Sequence, residues 1–216
     1  MQLIVLPKVD NAKEKEEFTK TSYSDTIMFK RPLRWMIFSL WIYVLVVALR
    51  PVSALSGSIP VAGSHLPEFQ LEAPSSEKER AYLGIGAGET FSVNQPNCQI
   101  ILIEIVGVYC PQCHIQMPLF NKLFYRIKRD ADIDEKTKML AVAVGATRME
   151  LTYFKKKHNI PYPVIRDPNF EIHKLLGEPR TPFIMLVSKD KEVVFAHLGI
   201  IRDIDKFLLK IKEFLK

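Results

Sequence analysis

Apolar residues along the chain fall into two strand-like runs with a helix-like pattern between them. The run Ile100–Val106 is almost wholly apolar and β-branched, which predicts a central strand covered on both faces. Met139–Val144 has the same character and predicts a second buried strand. Between these runs, apolar residues recur at helical spacing and predict a helix: Ile115, Phe120, Leu123, Phe124 and Ile127.

Shorter elements are predicted on both sides of this unit. Pro67–Leu71 predicts a short strand and Thr90–Val93 an edge strand. The region after the second buried strand predicts two helices and an extended segment: Met149–His158, Phe170–Leu176 and Pro163–Arg166. Pro182–Ser188 and Glu192–His197 predict a hairpin, and Asp203 can cap a last helix that has one apolar face. The order β-α-β-α-β-β-α predicts an α/β fold with a mixed sheet.

An uncharged apolar stretch at residues 35–49 dominates the N-terminal third of the chain. Its 15 residues are fewer than the ~20 of a comfortable membrane-spanning helix and match the longest signal-peptide cores. It follows three basic residues: Lys30, Arg31 and Arg34. After it, Arg50 is the only basic residue before Lys78. We therefore expect the N-terminus on the cytoplasmic side of the membrane and the chain after residue 50 on the opposite side. A buried core helix is the less favoured interpretation.

The segments around the apolar stretch suggest a division of the chain into four parts. Val52-Ser53-Ala54 has the small residues of a signal-peptidase site, so we interpret 28–54 as a signal peptide or an uncleaved membrane anchor. Residues 1–27 are a polar extension, either a misassigned start or a cytoplasmic tail. We interpret the Gly- and Ser-containing segment 55–66 as a linker and 67–216 as the folded domain. Whether 28–54 is a cleaved signal peptide or an anchor, it predicts that the folded domain is extracytoplasmic, either periplasmic or at the cell surface. If the segment is not cleaved, the apolar stretch 35–49 would hold the domain to the membrane.

The composition is that of a folded protein and does not favour nucleic-acid binding. Hydrophobic residues make up 48% and charged residues 25% of the 216 positions, which is enough for a sizeable core. The net charge is +6, but the basic residues are scattered along the chain. The longest basic run, Lys155–Lys157, is interpreted as a solvated helix face. We therefore expect no nucleic-acid partner.

The candidate chemistry lies in the cysteines, of which the chain has three. This is too few for a disulfide scaffold, but Cys110 and Cys113 stand three positions apart at a predicted strand-to-helix junction. On the first turn of a helix, the first thiol faces unpaired N–H groups, which stabilise its thiolate and lower its pKa. Pro111 stands where a missing N–H has no consequence. The pattern predicts an exposed nucleophile at Cys110 and a shielded thiol at Cys113 that resolves a mixed disulfide.

The sequence around these cysteines resembles the active site of the thioredoxin superfamily. That family has a buried acid six residues before its first cysteine and a proline five residues after its second, and Glu104 and Pro118 occupy these positions. Thr181-Pro182, at the start of a predicted strand, matches the cis-proline that faces the disulfide in the family. The resemblance implies a thioredoxin-like α/β fold, in which helices flank a central mixed sheet. It also implies substrate contacts at five positions: Tyr109, Pro111, Gln112, Thr181 and Pro182.

The spacing between the cysteine pair and Pro182 makes the chain similar to one branch of the thioredoxin superfamily, the TlpA/redoxin branch of AhpC/TSA type. The interval from Cys113 to Pro182 is 69 residues, and that branch carries an additional β-α unit there. Tyr109 replaces the usual tryptophan. Gln116 stands where reductases of the cytochrome-maturation type often have glutamate, so the resemblance does not extend to that substrate. Gly107 stands where peroxiredoxins have threonine, so we expect no peroxidase activity.

We expect a thiol–disulfide oxidoreductase that needs no metal and no cofactor beyond its redox-active Cys110–Cys113 disulfide. Its substrates would be protein or small-molecule disulfides, and the resemblance favours the reducing direction, with a membrane thiol donor as partner. Two alternatives stay open. With His114 the motif also matches the attachment site of c-type haem in an electron-transfer protein, although haem does not explain Glu104 or Pro118. The domain could instead be a non-catalytic binding module or a metal chaperone.

Other titratable residues have simpler interpretations. Glu104 lies in an apolar strand, so burial should raise its pKa and allow it to exchange protons with Cys113 through water. Cys98 is interpreted as a small buried residue, with an additional redox partner or a dimer link as the alternative. Three histidines are expected in structural or surface positions, without partners: His158, His173 and His197.

Overall fold

The computed structural model describes residues 38–43 and 57–216, and the chain divides into two units, 1–54 and 55–216. In the first unit, 38–43 is helical and its side chains are exposed. The rest of the predicted signal or anchor segment, 28–54, lies outside the described residues, as does the extension 1–27. Among the residues that are described, no helix is both long and apolar enough to cross a membrane.

Residues 57–216 form seven strands and six helices. In chain order they are β1 (Gln70–Glu72), α1 (Glu77–Leu83), β2 (Thr90–Ser92), β3 (Ile100–Gly107), α2 (Pro111–Arg129), α3 (Ala131–Lys136), β4 (Thr137–Val144), α4 (Arg148–His158), β5 (Val164–Asp167), α5 (Glu171–Leu175), β6 (Phe183–Ser188), β7 (Val193–Leu198) and α6 (Ile204–Phe214). The helices α1 and α3 were not predicted from the sequence.

Five of the strands form a central sheet in the order β5-β4-β3-β6-β7. The middle strand, β3, is parallel to β4 and antiparallel to β6. β5 extends the parallel part and β7 the antiparallel part, so the predicted mixed sheet is confirmed. β1 and β2 form a separate antiparallel pair. The edge strand predicted at Thr90–Val93 therefore pairs with Gln70–Glu72 and does not join the central sheet.

The pleat of β3 sends alternate side chains to two hydrophobic cores, one on each face of the sheet. Leu102 and Val106 join a core built with α2, α4 and α6. Ile101 and Ile103 join the opposite core, built with α1 and α5. The strand is thus covered on both faces, as its apolar sequence predicted. Glu104 shares the even positions of the first set, so its side chain points towards the face that carries α2.

The segment interpreted as a linker, 55–66, makes ordered contacts in its described part. The Gly63 N–H donates to the Val193 carbonyl, and the Val193 N–H donates to the Ser64 carbonyl, each over 2.8 Å. Leu66 is buried in the core on the α1 and α5 face. Residues 57–66 are therefore part of the folded domain. Composition alone does not distinguish a segment that packs in this way from a linker.

Candidate active site

Cys110 lies where β3 leads into α2 and is the N-cap residue of that helix. Its backbone is extended, with φ −77° and ψ 116°, and its Sγ accepts a hydrogen bond from the Cys113 N–H over 3.4 Å. Pro111 is the first helical residue, where its missing N–H leaves no bond unmade. Gly107 ends β3 close to the sulfur, since a Cβ there would lie 3.4 Å from Cys110 Cβ and from Thr181 Oγ1. The predicted strand-to-helix junction is confirmed.

The two thiols of the pair differ in their surroundings and therefore in acidity. Partial burial raises the pKa of Cys110, but hydrogen bonds from the Cys113 and Thr181 side chains, and from the Cys113 and Gln112 N–H groups, outweigh it. The net result is a pKa below that of an ordinary thiol. Cys113 is fully buried, and this burial, followed by hydrogen bonding to Cys110, raises its pKa. Both are free thiols, so the site is described in its reduced state.

Thr181 contacts the Cys110 sulfur from the start of β6. The Thr181–Pro182 peptide bond is cis, as the resemblance implied. Cys110 Sγ donates a hydrogen bond to the Thr181 carbonyl oxygen over 3.3 Å. Thr181 is half-buried, whereas Pro182 is buried, so at this position Thr181 and not the proline ring is accessible to a ligand. Pro111 and Gln112 are exposed beside the sulfur.

Glu104 is fully buried in β3, as its apolar neighbours predicted. Burial raises the pKa of its carboxyl group well above the usual value; Tyr162 opposes this rise and the charge of Cys110 adds to it. Neither carboxyl oxygen has a hydrogen-bond partner among the described residues. The Tyr162 hydroxyl is buried as well and makes a long hydrogen bond, 3.8 Å, to Met117 Sδ. A carboxyl group in such surroundings keeps its proton to higher pH than an exposed glutamate does and can exchange it with a neighbouring acid.

Comparison with known proteins identifies the family. The sequence model of the AhpC/TSA family matches residues 62–204. The chain belongs to the AhpC/TSA family. It is similar to the thiol-disulfide oxidoreductase ResA of Halalkalibacterium halodurans, with 25% identity over 52% of this chain and 61% of that protein. This AhpC/TSA-family chain thus spans about three fifths of the length of that relative.

Solved structures share the fold of this AhpC/TSA-family chain. A Chlorobium tepidum protein assigned as the thiol:disulfide interchange protein DsbE matches with a TM-score of 0.58 and 17% identity, over 73% of this chain and 99% of that one. The thioredoxin domain of a thiol-disulfide oxidoreductase from Bacteroides vulgatus matches with a TM-score of 0.55 and 14% identity, over 72% and 99%. At these identities the likeness shows the fold alone. That fold is the thioredoxin-like α/β fold that the resemblance implied.

Tyr109, the residue before Cys110, connects this loop to the start of α4. Its side chain is largely exposed, but its hydroxyl donates a hydrogen bond to Glu150 Oε1. Glu150 also closes the capping box of α4, because its Oε2 accepts from the Thr147 N–H over 2.8 Å and from the Thr147 hydroxyl over 2.6 Å. The Thr147 hydroxyl, and then Tyr109, lower the pKa of Glu150 to about 2. The loop before the sulfur is therefore fixed to a second helix.

His114 and His158 form a contact that the sequence analysis missed. His114 Nδ1 and His158 Nε2 are 2.6 Å apart, which joins the first turns of α2 to the end of α4. Both rings pack against Phe154, with centroid separations of 5.5 and 4.9 Å. Burial lowers the pKa of His158, and the charges of His114 and Lys157 lower it further. The prediction that His158 lacks a partner is therefore wrong; 44 positions separate the two rings, so no local spacing relates them. It is wrong for His173 as well, whose Nε2 lies 3.0 Å from the Pro179 carbonyl oxygen.

Cys98 and Gln116 each contact a different part of the core. Cys98 packs against the core on the opposite face of the sheet from the cysteine pair. Burial raises the pKa of Cys98 to about 11, although Lys138 opposes the rise. Gln116 is buried in α2, and its Oε1 accepts a hydrogen bond from the Ile201 N–H over 2.7 Å, which attaches the segment before α6 to α2.

Proposed function

We propose that this chain is a thiol–disulfide oxidoreductase that reduces disulfides outside the cytoplasm. The observation that carries the proposal is the difference between its two thiols. Cys110 is partly exposed at a helix N-cap and has a lowered pKa, whereas Cys113 is buried one turn later and has a raised pKa. A readily ionised sulfur is suited to attack a disulfide, and a shielded neighbour is suited to resolve the product. The name of the ResA relative supports this class of activity.

The reaction takes place in two exchange steps. The Cys110 thiolate attacks one sulfur of the substrate disulfide, so that an S–S bond forms between them and the other substrate sulfur leaves as a thiolate that takes up a proton. Cys113 then loses its proton and attacks Cys110 Sγ, which breaks the mixed disulfide and releases the second substrate thiol. The substrate has gained two electrons and two protons, and the protein is left with a Cys110–Cys113 disulfide.

Two neighbouring residues assist these steps in the proposal. Cys113 must lose its proton in the second step although burial raises its pKa. In its ionised form Glu104 can accept that proton through a water molecule, because its raised pKa makes its carboxylate a stronger base than that of an ordinary glutamate. The Thr181 carbonyl, which accepts from the Cys110 thiol in the free protein, can instead pair with an extended substrate segment once that thiol has reacted.

The location and the direction of electron flow rest on the sequence. The basic residues before 35–49 and their scarcity after it favour a domain outside the cytoplasm, secreted after cleavage or anchored through that stretch. An external dithiol must return two electrons to the Cys110–Cys113 disulfide after each turnover. A membrane thiol donor is the partner we propose, and proteins or small molecules that contain disulfides are the proposed substrates.

The geometry supports haem attachment and metal binding less well than it supports disulfide reduction. Thioether bonds to haem need two accessible sulfurs, and Cys113 is fully buried. In the described ranges 38–43 and 57–216, no three His, Cys, Asp or Glu side chains are arranged to hold a metal ion.

Cysteine substitutions in the full-length protein test the proposed function. Cys110→Ser removes the nucleophile, so we expect no reduction of insulin disulfides by a thiol reductant. Cys113→Ser keeps the attack but not the resolving step, so a mixed disulfide should accumulate and be visible on a non-reducing gel. Cys98→Ser is the matched control and should retain activity. Activity of Cys110→Ser equal to that of the wild type would overturn the assignment. Alkylation trapping of the pair in cells decides the direction, since a reductase is held mainly as dithiol.

A further inference from the structure

A groove of about 500 Å³ lies between the loop that precedes Cys110 and the outer face of α4. We call it the Tyr109 groove; its walls and floor include Tyr109, His114, Met149, Tyr153, Phe154 and Lys157. Three of its large side chains are unusually open to solvent: Met149 is 80% exposed, Tyr109 78% and Tyr153 66%. Apolar side chains clustered in this way on a protein surface mark a place where another molecule binds. The volume lies within the range of ligand-binding pockets.

The walls of the Tyr109 groove are already held in place. The Tyr109 ring is fixed by its hydroxyl bond to Glu150, which is in turn fixed by Thr147. On the floor, the His114 ring packs on Phe154 at 5.5 Å. Aromatic walls that are fixed before binding lose little conformational freedom on contact with a ligand.

The charge of the groove favours an acidic ligand. Lys157 lines it and contacts the face of the Tyr153 ring, with Nζ 6.0 Å from the centroid. No carboxylate among the described residues forms an ion pair with Lys157, whereas Lys155 of the same helix is paired with Glu79 over 2.5 Å. Among the described residues, Glu150 is the one acid that lines the groove, and it already accepts hydrogen bonds from Tyr109 and Thr147. A carboxylate on the ligand would meet an uncompensated positive charge.

The position of the groove in the fold indicates a polypeptide. Cys110 follows β3, whose two neighbours in the sheet are β4 and β6. The groove is built on α4, which follows β4, whereas Thr181 precedes β6. The groove and the Thr181 carbonyl are therefore on opposite sides of the sulfur. A ligand that reaches both must extend across Cys110, as a polypeptide does when its own cysteine is attacked.

We propose that the Tyr109 groove binds residues flanking the reactive cysteine of a polypeptide substrate, taking up an aromatic or large aliphatic side chain together with a carboxylate. This inference rests on the proposed function, which it extends from a reaction to a class of substrate: proteins whose disulfide is flanked by apolar and acidic residues. Tyr109, Met149, Tyr153 and Lys157 are then residues that determine specificity, and they take no part in the exchange of electrons.

The test uses the full-length reduced protein and two peptides, each joined through its cysteine to cysteamine by a mixed disulfide. The probe peptide is Asp-Phe-Cys-Phe-Asp and the reference peptide is Asn-Ser-Cys-Ser-Asn, both with blocked termini. Chromatography of the released peptide thiol gives the two second-order rate constants. We expect the probe to react at least about tenfold faster, since even one methylene group in an apolar pocket changes rates by about tenfold or more.

Variants show whether the groove causes the preference. Tyr153→Ser and Met149→Ser remove apolar walls and should bring the ratio of the two rate constants towards one. Lys157→Gln should lower the ratio by about threefold, because an exposed charge pair contributes modestly. Matched controls are Tyr125→Ser in α2 and Lys156→Gln in α4, both exposed and outside the groove, and these should keep the wild-type ratio.

The outcomes separate this inference from the proposed function. Equal rates for the two peptides in the wild type overturn the groove proposal and leave the proposed function standing. If the wild type reduces neither peptide, the proposed function itself fails. A groove variant that slows both peptides by the same factor also overturns the groove proposal, because the groove would then act on the cysteines and not on the ligand.

Discussion

Glu104 is a carboxyl group enclosed in the middle of an apolar strand, with no hydrogen-bond partner among the described residues. Such a group destabilises the folded state when it is ionised, and it persists where function needs it. Its raised pKa has a defined consequence for stability. The unfolded chain releases the proton near the ordinary glutamate pKa of about 4.3, whereas the folded chain keeps it to higher pH. The carboxyl group therefore supports folding fully below about pH 4.3, and this support is lost as the pH rises towards the folded-state pKa.

Glu104→Gln should remove this dependence on pH. Relative to the wild type, we expect the variant to gain free energy of unfolding as the pH rises from 4 to 8, because glutamine has no proton to lose. Urea unfolding at pH 4, 6 and 8 measures the change. Glu135→Gln, an exposed site, is the control and should follow the wild type. Parallel pH profiles for wild type and Glu104→Gln would show that the carboxyl group is not the cause.

Among the secondary-structure elements, α4 contacts the region of the cysteine pair without containing any of the predicted site residues. Its N-terminus has a complete capping box between Thr147 and Glu150, and the same glutamate receives the Tyr109 hydroxyl. Its C-terminus carries His158, and α2 reaches it a second time through Asn121 Nδ2, which donates to the His158 carbonyl over 2.7 Å. Both ends of α4 are thus attached to the segment that contains the cysteines.

Thr147→Ala should weaken the start of α4. The variant loses the hydroxyl that accepts from the Glu150 N–H and donates to the Glu150 carboxylate, and loss of such a cap costs about 1 kcal/mol of stability. Urea unfolding at pH 7 measures the difference in free energy. Thr152→Ala in the same helix is the control, because this exposed threonine is not a capping residue; its effect should stay within about 0.5 kcal/mol. Equal losses in the two variants would mean that the cap contributes nothing specific.

The longer elements could be predicted from the sequence because their periodicity is strong over many residues. β3 and β4 begin and end within two residues of their expected positions, and α2 contains all the residues whose spacing predicted it. The helices α1 and α3 have 7 and 6 residues and each buries a single side chain, Leu83 and Ile133, so neither shows an apolar repeat in the sequence. α3 also leads directly into β4 with no glycine or proline between them to mark the boundary.

At the scale of the whole molecule, α2 and α6 together cover the face of the sheet towards which Glu104 points. The Phe120 and Phe207 rings stack with centroids 6.2 Å apart, and both side chains are buried. Gln116 holds the backbone at Ile201 just before α6. The C-terminal helix is therefore an integral part of the core that supports the cysteine pair.

Phe207→Ala should destabilise the whole domain by about 3–5 kcal/mol, because it removes a buried ring and leaves a cavity against α2. The free energy of unfolding from urea titration, followed by circular dichroism, measures this loss. Leu209→Ala is the control in the same helix. Leu209 is 61% exposed, so removing its side chain should change the free energy of unfolding only slightly. A loss below about 1 kcal/mol for Phe207→Ala would contradict the described packing of α6.

Features that join distant parts of the chain were the hardest to predict. Cys110 and Cys113 could be found from their spacing, and Thr181 only through the resemblance to a family. The contact between His114 and His158 and the Tyr109 groove each bring together residues about 40 positions apart in the sequence. The order of strands in the sheet has the same character, since pairing depends on contacts that no local pattern encodes.

The short distance between His114 and His158 means that a single hydrogen atom lies between the two rings, because one imidazole nitrogen must donate while the other accepts. Burial lowers the pKa of His158, and the charges of His114 and Lys157 lower it further. The His158 ring therefore stays neutral to lower pH than an ordinary imidazole. The hydrogen bond that joins the two helices beside the reactive sulfur is thus built on a nitrogen that resists protonation.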